Sequence, residues 1–314
     1  HRRKQQRKRQ NPSSRYNKKM AEKLNILQAD KKACFHSYMG AWLAEPTILG
    51  QMAEAVKSRL MPEAIVDTMS QSSASFAKVE GVAIIQIEGA MMKADSKFGG
   101  TSTIRIRQAI RAAVQDPEID SILLHIDSPG GTVSGTKELA DEVLSARQSK
   151  PVHAYIEDLG ASAAYWVASQ CETISANLTA EVGSLGVVAV IYDQSKQFER
   201  MGVKVHVVST GKFKGAGAPG SEISADMLAE VQELVDDLHE VFMTAVLSGR
   251  KMERAELDAI ADGRVFLASK ALKLGLVDAV ETVDEMIGRM ALLGAERRRA
   301  EREKRVSKQL GQRR

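Results

Sequence analysis

The stretch Val152-His153-Ala154-Tyr155-Ile156-Glu157-Asp158-Leu159-Gly160-Ala161-Ser162-Ala163-Ala164-Tyr165-Trp166 decides how this chain is read. Val152 to Ile156 is a run of strand type. Ala163 to Ser169 reads as a helix. Ser162 stands at the junction, among Gly160, Ala161, Ala163 and Ala164. Residues with so little side chain let another backbone approach the hydroxyl closely. A helix start adds free N–H groups and a partial positive charge beside that oxygen. A lone serine in such a place ordinarily caps its helix, so its meaning depends on the rest of the chain.

Outward from this junction, strands and helices alternate. Val82 to Ile87 and Ile119 to Ile126 are apolar, β-branched runs of buried-strand type. Between them Thr103 to Gln115 carries Ile104, Ile106, Ala109, Ile110 and Val114 at helical spacing, and Asp116-Pro117 ends it. Asp127-Ser128-Pro129-Gly130-Gly131 is a turn, followed by a helix over Ser134 to Ser149. Ile174–Ala176, Val187–Tyr192 and Val203–Val208 read as further short strands. This alternation predicts an α/β fold with a largely parallel sheet. In such sheets ligands gather beyond the strand C-termini. The segments 127–131 and 160–164 both follow strands directly, which places them on one edge.

Beyond the strands, Ser224 to Ser248 is a long helix, capped by Ser224 and ended by Gly249. Helices over 253–261, Ala268–Leu274 and from Val283 onward follow. Ahead of the alternating region, residues 38–60 read as helical, with Trp42, Leu43, Ile48, Leu49, Met52 and Val56 forming a stripe. Pro62 stops it, and the Ser-rich residues 67–75 read as a linker. The chain divides into a basic tail (1–19), a helical accessory segment with its linker (20–75), a main domain (76–290) and a charged C-terminal helix or tail (291–314).

Charge is unevenly spread. Residues 1–19 carry +9 and residues 296–314 carry +6, against +4 for the whole, so the body between them carries −11. Basic tails can meet nucleic acid or an acidic partner, but no aromatic interleaving or nucleic-acid module supports more than a solvated arm. Met20-Ala21-Glu22-Lys23-Leu24 reads as a start, and residues 1–19 are set aside from fold reasoning. Cys34 and Cys171 are isolated thiols, which fit a reducing compartment and suggest no zinc site. No apolar run approaches the roughly 20 residues of a membrane span. The body is expected to be soluble and cytoplasmic.

A nucleophilic serine needs a base, donors for the developing oxyanion, and positioning. The six histidines give no sign of a triad: His125, His153 and His206 lie within strand-like runs, and His239 lies in the long helix. A lysine can serve as base where burial keeps it neutral. Ser209-Thr210-Gly211-Lys212-Phe213-Lys214-Gly215-Ala216-Gly217 offers two lysines among glycines. Gly130, Gly131 and Ala163 can each present a backbone amide. Taken singly, these features are equally a surface loop, a tight turn and a helix start.

Taken in order, they resemble a known family. Ser-Pro-Gly-Gly after an apolar strand, then Gly-Ala-Ser-Ala-Ala-Tyr, Gly-Ser-Leu-Gly-Val (183–187) and Thr-Gly-Lys-Phe-Lys are similar to the motifs of the signal peptide peptidase A family of Ser-Lys proteases. The match covers about residues 79–285. The resemblance implies a Clp protease/crotonase-like spiral of ββα units with a helical N-terminal segment. It implies Ser162 as nucleophile and Lys214 as base, with Lys212 the fallback. Gly131 or Gly130 and Ala163 would supply the oxyanion hole. No metal or cofactor is implied. A homo-oligomer is, because Ser and Lys can meet across subunits in members with one repeat.

Two departures narrow the branch. The membrane peptidases usually carry an N-terminal anchor, and many have Asn where this chain has Asp127. With Ala41-Trp42-Leu43-Ala44-Glu45-Pro46, these features resemble the tailed-phage capsid assembly proteases. Protein substrates and capsid or scaffold partners follow as expectations, in host cytoplasm or procapsid. Ala161 and Gly183 imply a pocket for small or apolar side chains. The alternatives are a cytosolic bacterial protease of the same family that degrades peptides, a non-catalytic scaffold protein, and a crotonase-like acyl-thioester enzyme.

Overall fold

A computed structural model describes residues 42–44, 76–95 and 100–311. The chain is mixed α/β, as expected, and its main sheet is largely parallel. Strands β2 (Ala77–Val79), β3 (Val82–Glu88), β6 (Ser121–Ser128), β8 (Val152–Ala161), β9 (Thr173–Ala176), β10 (Glu181–Gly183), β11 (Val265–Leu267) and β12 (Ala279–Val280) build it. The order is β11-β10-β8-β6-β3-β2, with β9 and β12 continuing from β8 on a side branch. A smaller sheet runs β1 (Trp42–Ala44), β7 (Gly130–Thr132), β4 (Met91–Met92), β5 (Thr101–Ser102).

The strands are apolar on both faces because both faces are covered. Ile85, Ile87, Ile122, Leu124, Ile126, Ala154 and Ile156 face one core. Helices α1 (Thr103–Gln115), α2 (Thr136–Ala146) and α3 (Ala163–Ser169) pack there with Ile106, Ile110, Leu139, Val143 and Trp166. Short α4 (Ser195–Arg200) precedes α5 (Ala225–Gly249), whose C-terminal end joins the core through Phe242, Met243 and Val246. Trp166 and Phe242 stack with centroids 4.9 Å apart. Gly249 is needed there, since a Cβ would lie 1.9 Å from the Ser169 carbonyl oxygen. Helices α6 (Arg254–Asp258) and α7 (Ala268–Lys273) follow. Val82, Leu123 and Tyr155 point to the opposite face, where Met286 and Met290 of α8 (Val283–Gly311) cover them. The boundary expected at residue 290 falls inside that continuous helix.

One irregularity positions the site. β6 and β8 pair in step from Ile122↔Val152 to Ile126↔Ile156, then jump to Ser128↔Gly160. The extra length on β8 is a bulge, which turns its second half. Its first half pairs with β9 and its second with β10. The jump sets the Ser128-Pro129-Gly130 turn alongside Gly160, two residues before Ser162.

Three expectations are corrected. Val187–Tyr192 makes only a single bridge, at Val188, and Val203–Val208 forms no strand. A strand requires a partner edge, and the neighbouring β10 already has β8 on one side and β11 on the other. Most of these residues are exposed instead, Val208 almost completely. Within the expected helix over 38–60, Trp42–Ala44 is a strand paired with β7. The rest of that helix, the linker and the basic tail at 1–19 lie outside the described residues. Conversely β10, β11 and β12, two or three residues each, were too short for periodicity to register.

Candidate active site

Ser162 occupies the single residue between β8 and α3. Its backbone takes φ 54° and ψ −115°, a conformation L-residues rarely adopt. Such a residue costs on the order of 1–3 kcal/mol and persists only where its surroundings enforce it. The enforcement is visible. The Ser162 amide donates to the Gly183 carbonyl at 2.8 Å, and the Ser162 carbonyl accepts from the Trp166 amide at 2.9 Å. Although Ser162 sits at the N-cap position, its hydroxyl makes no capping bond. The hydroxyl lies instead 3.5 Å from the Gly186 carbonyl oxygen, at the outer limit of a hydrogen bond. Helix capping therefore does not account for this serine. The residue is almost fully buried.

The glycines around it have steric reasons. Gly183 holds φ 135°, and a Cβ there would lie 2.7 Å from the Arg264 carbonyl oxygen. Gly131 cannot be larger, since a Cβ would fall 1.8 Å from the Met91 carbonyl oxygen. Ser128 fixes the turn before it: its hydroxyl donates to the Gly89 carbonyl at 2.6 Å and accepts from the Gly130 amide at 3.2 Å. The Gly130 amide is thus engaged, which turns attention to that of Gly131. β7 packs against α3, whose first amides, including that of Ala163, have no helical acceptor. Asp127, next to this turn, has its carboxyl pushed above the ordinary range, first by burial and then by the nearby charge of Asp158.

Gly186, whose carbonyl the Ser162 hydroxyl approaches, lines a cavity of about 310 Å³ together with Ser184, Val188, Val235 and His239. Periodicity gave no hint of it, although Gly183-Ser184-Leu185-Gly186-Val187 stood out as a motif. The small residues Ala161 and Gly183 are opposite each other in the β8–β10 ladder.

The two lysines stand elsewhere in the single chain. Both occupy an irregular exposed loop between α4 and α5. Lys212 pairs with Asp226 at 2.6 Å and lies over the Phe213 ring. Lys214 is exposed, and its side chain makes no hydrogen bond or ion pair among the described residues. Among those residues no group of His, Cys, Asp and Glu side chains is arranged to hold a metal ion, and no helix is long and apolar enough to cross a membrane.

Residues 145–296, which carry Ser162, the Gly183–Val187 motif and both lysines, match the family described as Peptidase family S49. Over that segment, just under half of its length, the chain is similar to that family. A protein named as a protease from Synechocystis is 28% identical over 65% of this chain and 71% of its own length. Protease 4 of Salmonella typhi is 28% identical over 68% of this chain and 34% of its own. Capsid assembly protease C of Escherichia phage lambda is 28% identical over 68% of this chain and 49% of its own. The chain therefore spans about half or less of the latter two. Gly130 and Gly131 precede the matched segment.

Proposed function

We propose that this protein is a serine endopeptidase of the S49 kind, with Ser162 as nucleophile and Lys214 as general base. The observation that carries the reading is the strained backbone of Ser162 at a strand–helix junction, with its hydroxyl unused for capping. Strain of this kind marks functional sites more often than structural ones. In the reaction, neutral Lys214 takes the proton from Ser162 Oγ as the oxygen attacks a peptide carbonyl. The amides of Gly131 and Ala163 hold the tetrahedral oxygen. Lys214 then returns the proton to the leaving amine. Water, deprotonated by the same lysine, releases the acyl group from Ser162. No metal or cofactor takes part.

An exposed lysine is a poor base, and a buried, desolvated one a good one. We place the working site at an interface between copies of the chain, where the loop of one copy brings Lys214 to Ser162 of the next. The segment that carries Lys214 supports this through its exposed apolar residues, Val190, Tyr192, Met201, Val207, Val208 and Phe213. Such a surface ordinarily marks a protein contact. Lys212 remains the second choice, with its Asp226 partner to be given up first.

The relatives named for capsid assembly favour a phage head role, with scaffold and head proteins as substrates in the procapsid or host cytoplasm. The cavity beside Gly186 and the small pair Ala161 and Gly183 favour small or apolar side chains at the cleavage site. A Clp protease/crotonase-like spiral over residues 76–290 fits the parallel sheet and its crossovers. A cytosolic peptide-degrading role is the second reading, favoured by relatives such as protease 4.

The test is complementation. Ser162→Ala and Lys214→Ala should each fail to cleave a casein-type substrate. Mixed and reassembled, they should recover activity at roughly one site in four, the fraction of interfaces with both groups intact. Activity retained by Lys214→Ala alone would move the base to Lys212 or a histidine. No recovery on mixing would place both groups in one chain. No cleavage by wild type, alone or co-expressed with capsid proteins, would favour a scaffold.

A further inference from the structure

The edge of β7 is not free. Trp42–Ala44 lies on it as an antiparallel strand, with Trp42 opposite Thr132, Leu43 opposite Gly131 and Ala44 opposite Gly130. On its other side β7 pairs with β4, Met91 opposite Gly131. Thus β1 takes the only remaining edge of the strand that carries the Gly131 amide. An exposed strand edge is where an extended peptide adds to a protein, through main-chain hydrogen bonds.

The direction of β1 is informative. It runs from Thr132 towards Gly130, and α3, which begins at Ala163, packs against β7. A peptide about to be cut must place one carbonyl at the Gly131 and Ala163 amides. The residues before that carbonyl must then extend along β7. With Leu43 opposite Gly131, β1 lays the Leu43–Ala44 backbone along the stretch of β7 that such a peptide would occupy. The two residues with bulky apolar side chains, Trp42 and Leu43, precede the small Ala44.

We propose that Trp42–Ala44 is a ligand supplied by the chain to its own peptide-binding edge, and that it restrains access to Ser162 until displaced. The proposal rests on the reading of Gly131 and Ser162 given above; the pairing itself does not. A protein substrate, or the partner copy on assembly, has to compete with a tethered strand whose effective concentration is high.

The experiment uses the full chain with Leu43→Pro and, separately, Ala44→Pro. In an edge strand the N–H groups of adjacent residues point alternately to the partner and away. One of the two substitutions therefore removes a ladder donor, and the other is its control. Hydrogen exchange is followed in the Ser162→Ala background, to prevent self-digestion. In one variant the amides of residues 131–133 should exchange at least about tenfold faster, while β3 and β6 exchange as before, which shows that the core is folded, and the Gly130 amide stays protected by Ser128. A synthetic peptide of residues 38–48 should restore protection in that variant. With Ser162 intact, the same variant should react severalfold faster with a fluorophosphonate. Unchanged exchange at 131–133 in both variants would overturn the proposal, as would faster exchange with no gain in labelling over a labelled wild type. If no form is labelled, the reading of Ser162 as nucleophile fails, and exchange with peptide rescue still decides whether the edge is occupied.

Discussion

The amide nitrogen of Ser162 lies 2.8 Å from the carbonyl oxygen of Gly183. This bond ties the turn after β8 to the end of β10 and holds Ser162 at φ 54°. Gly183 is itself held by the strand on its other side, where Ser184 donates to the Arg264 carbonyl at 2.7 Å. The conformation of the candidate nucleophile is thus set by three strands, not by its own preference.

Ser162→Gly and Ser162→Ala should both be inactive but should differ in stability. Glycine adopts this φ without strain, whereas alanine keeps the Cβ that causes it. The glycine variant should be the more stable by about 1 kcal/mol. Urea unfolding of the two variants gives the comparison. Equal midpoints would mean that the turn relaxes in solution.

Gly131→Ala should fail on two counts. Its Cβ would collide with the Met91 carbonyl, so β7 must move away from β4. A loss of about 2 kcal/mol or more is expected from such backbone displacement. The Gly131 amide moves with it, so activity should fall even at temperatures where the variant is folded. Paired thermal unfolding and cleavage assays separate the two effects.

His153 predicts an acid-sensitive step. Burial depresses its imidazole to about 4 from an ordinary 6.5, against the opposing charge of Glu172. Its ring nitrogen Nδ1 is 2.7 Å from Thr173 Oγ1. Between those two values the unfolded chain binds a proton that the folded chain refuses. Stability contributed by the neutral ring is full above 6.5 and is lost as pH falls towards 4. The loss is of order 3 kcal/mol. His153→Gln should remove this component, so the stability difference between wild type and variant should change across pH 6.5 to 4 and level off below.

Asp127 should behave in the opposite sense. Its raised carboxyl means that the fold favours the protonated form. The stability that goes with protonation is present below the ordinary carboxylate value and is lost as pH rises through the folded one. Asp127→Asn should therefore be more stable than wild type at neutral pH and lose that advantage in acid. Chemical unfolding at pH 7 and pH 3 checks this. A variant less stable at pH 7 would show that the carboxylate accepts more from its surroundings than burial costs it.

Sequence alone determined the α/β class, since apolar runs of strand length alternate with helical stripes. It located α1 and α3 to the residue, because Asp116-Pro117 and the Ala-rich run after Ser162 are strong local signals. It brought Ser162 and the Ser128–Gly131 turn to one sheet edge, because each directly follows a parallel strand. The tertiary structure decided the rest. Val187–Tyr192 and Val203–Val208 have the composition of strands but form no ladder, the first making only a single bridge at Val188, and Trp42–Ala44 found an edge on β7. The strain at Ser162, the engagement of the Gly130 amide and the register jump at Ser128↔Gly160 are invisible in sequence, because each depends on groups brought together from distant segments. Local pattern fixes what a segment can form. Which partner edge, carbonyl or charge it meets is set only when the sheet closes around it.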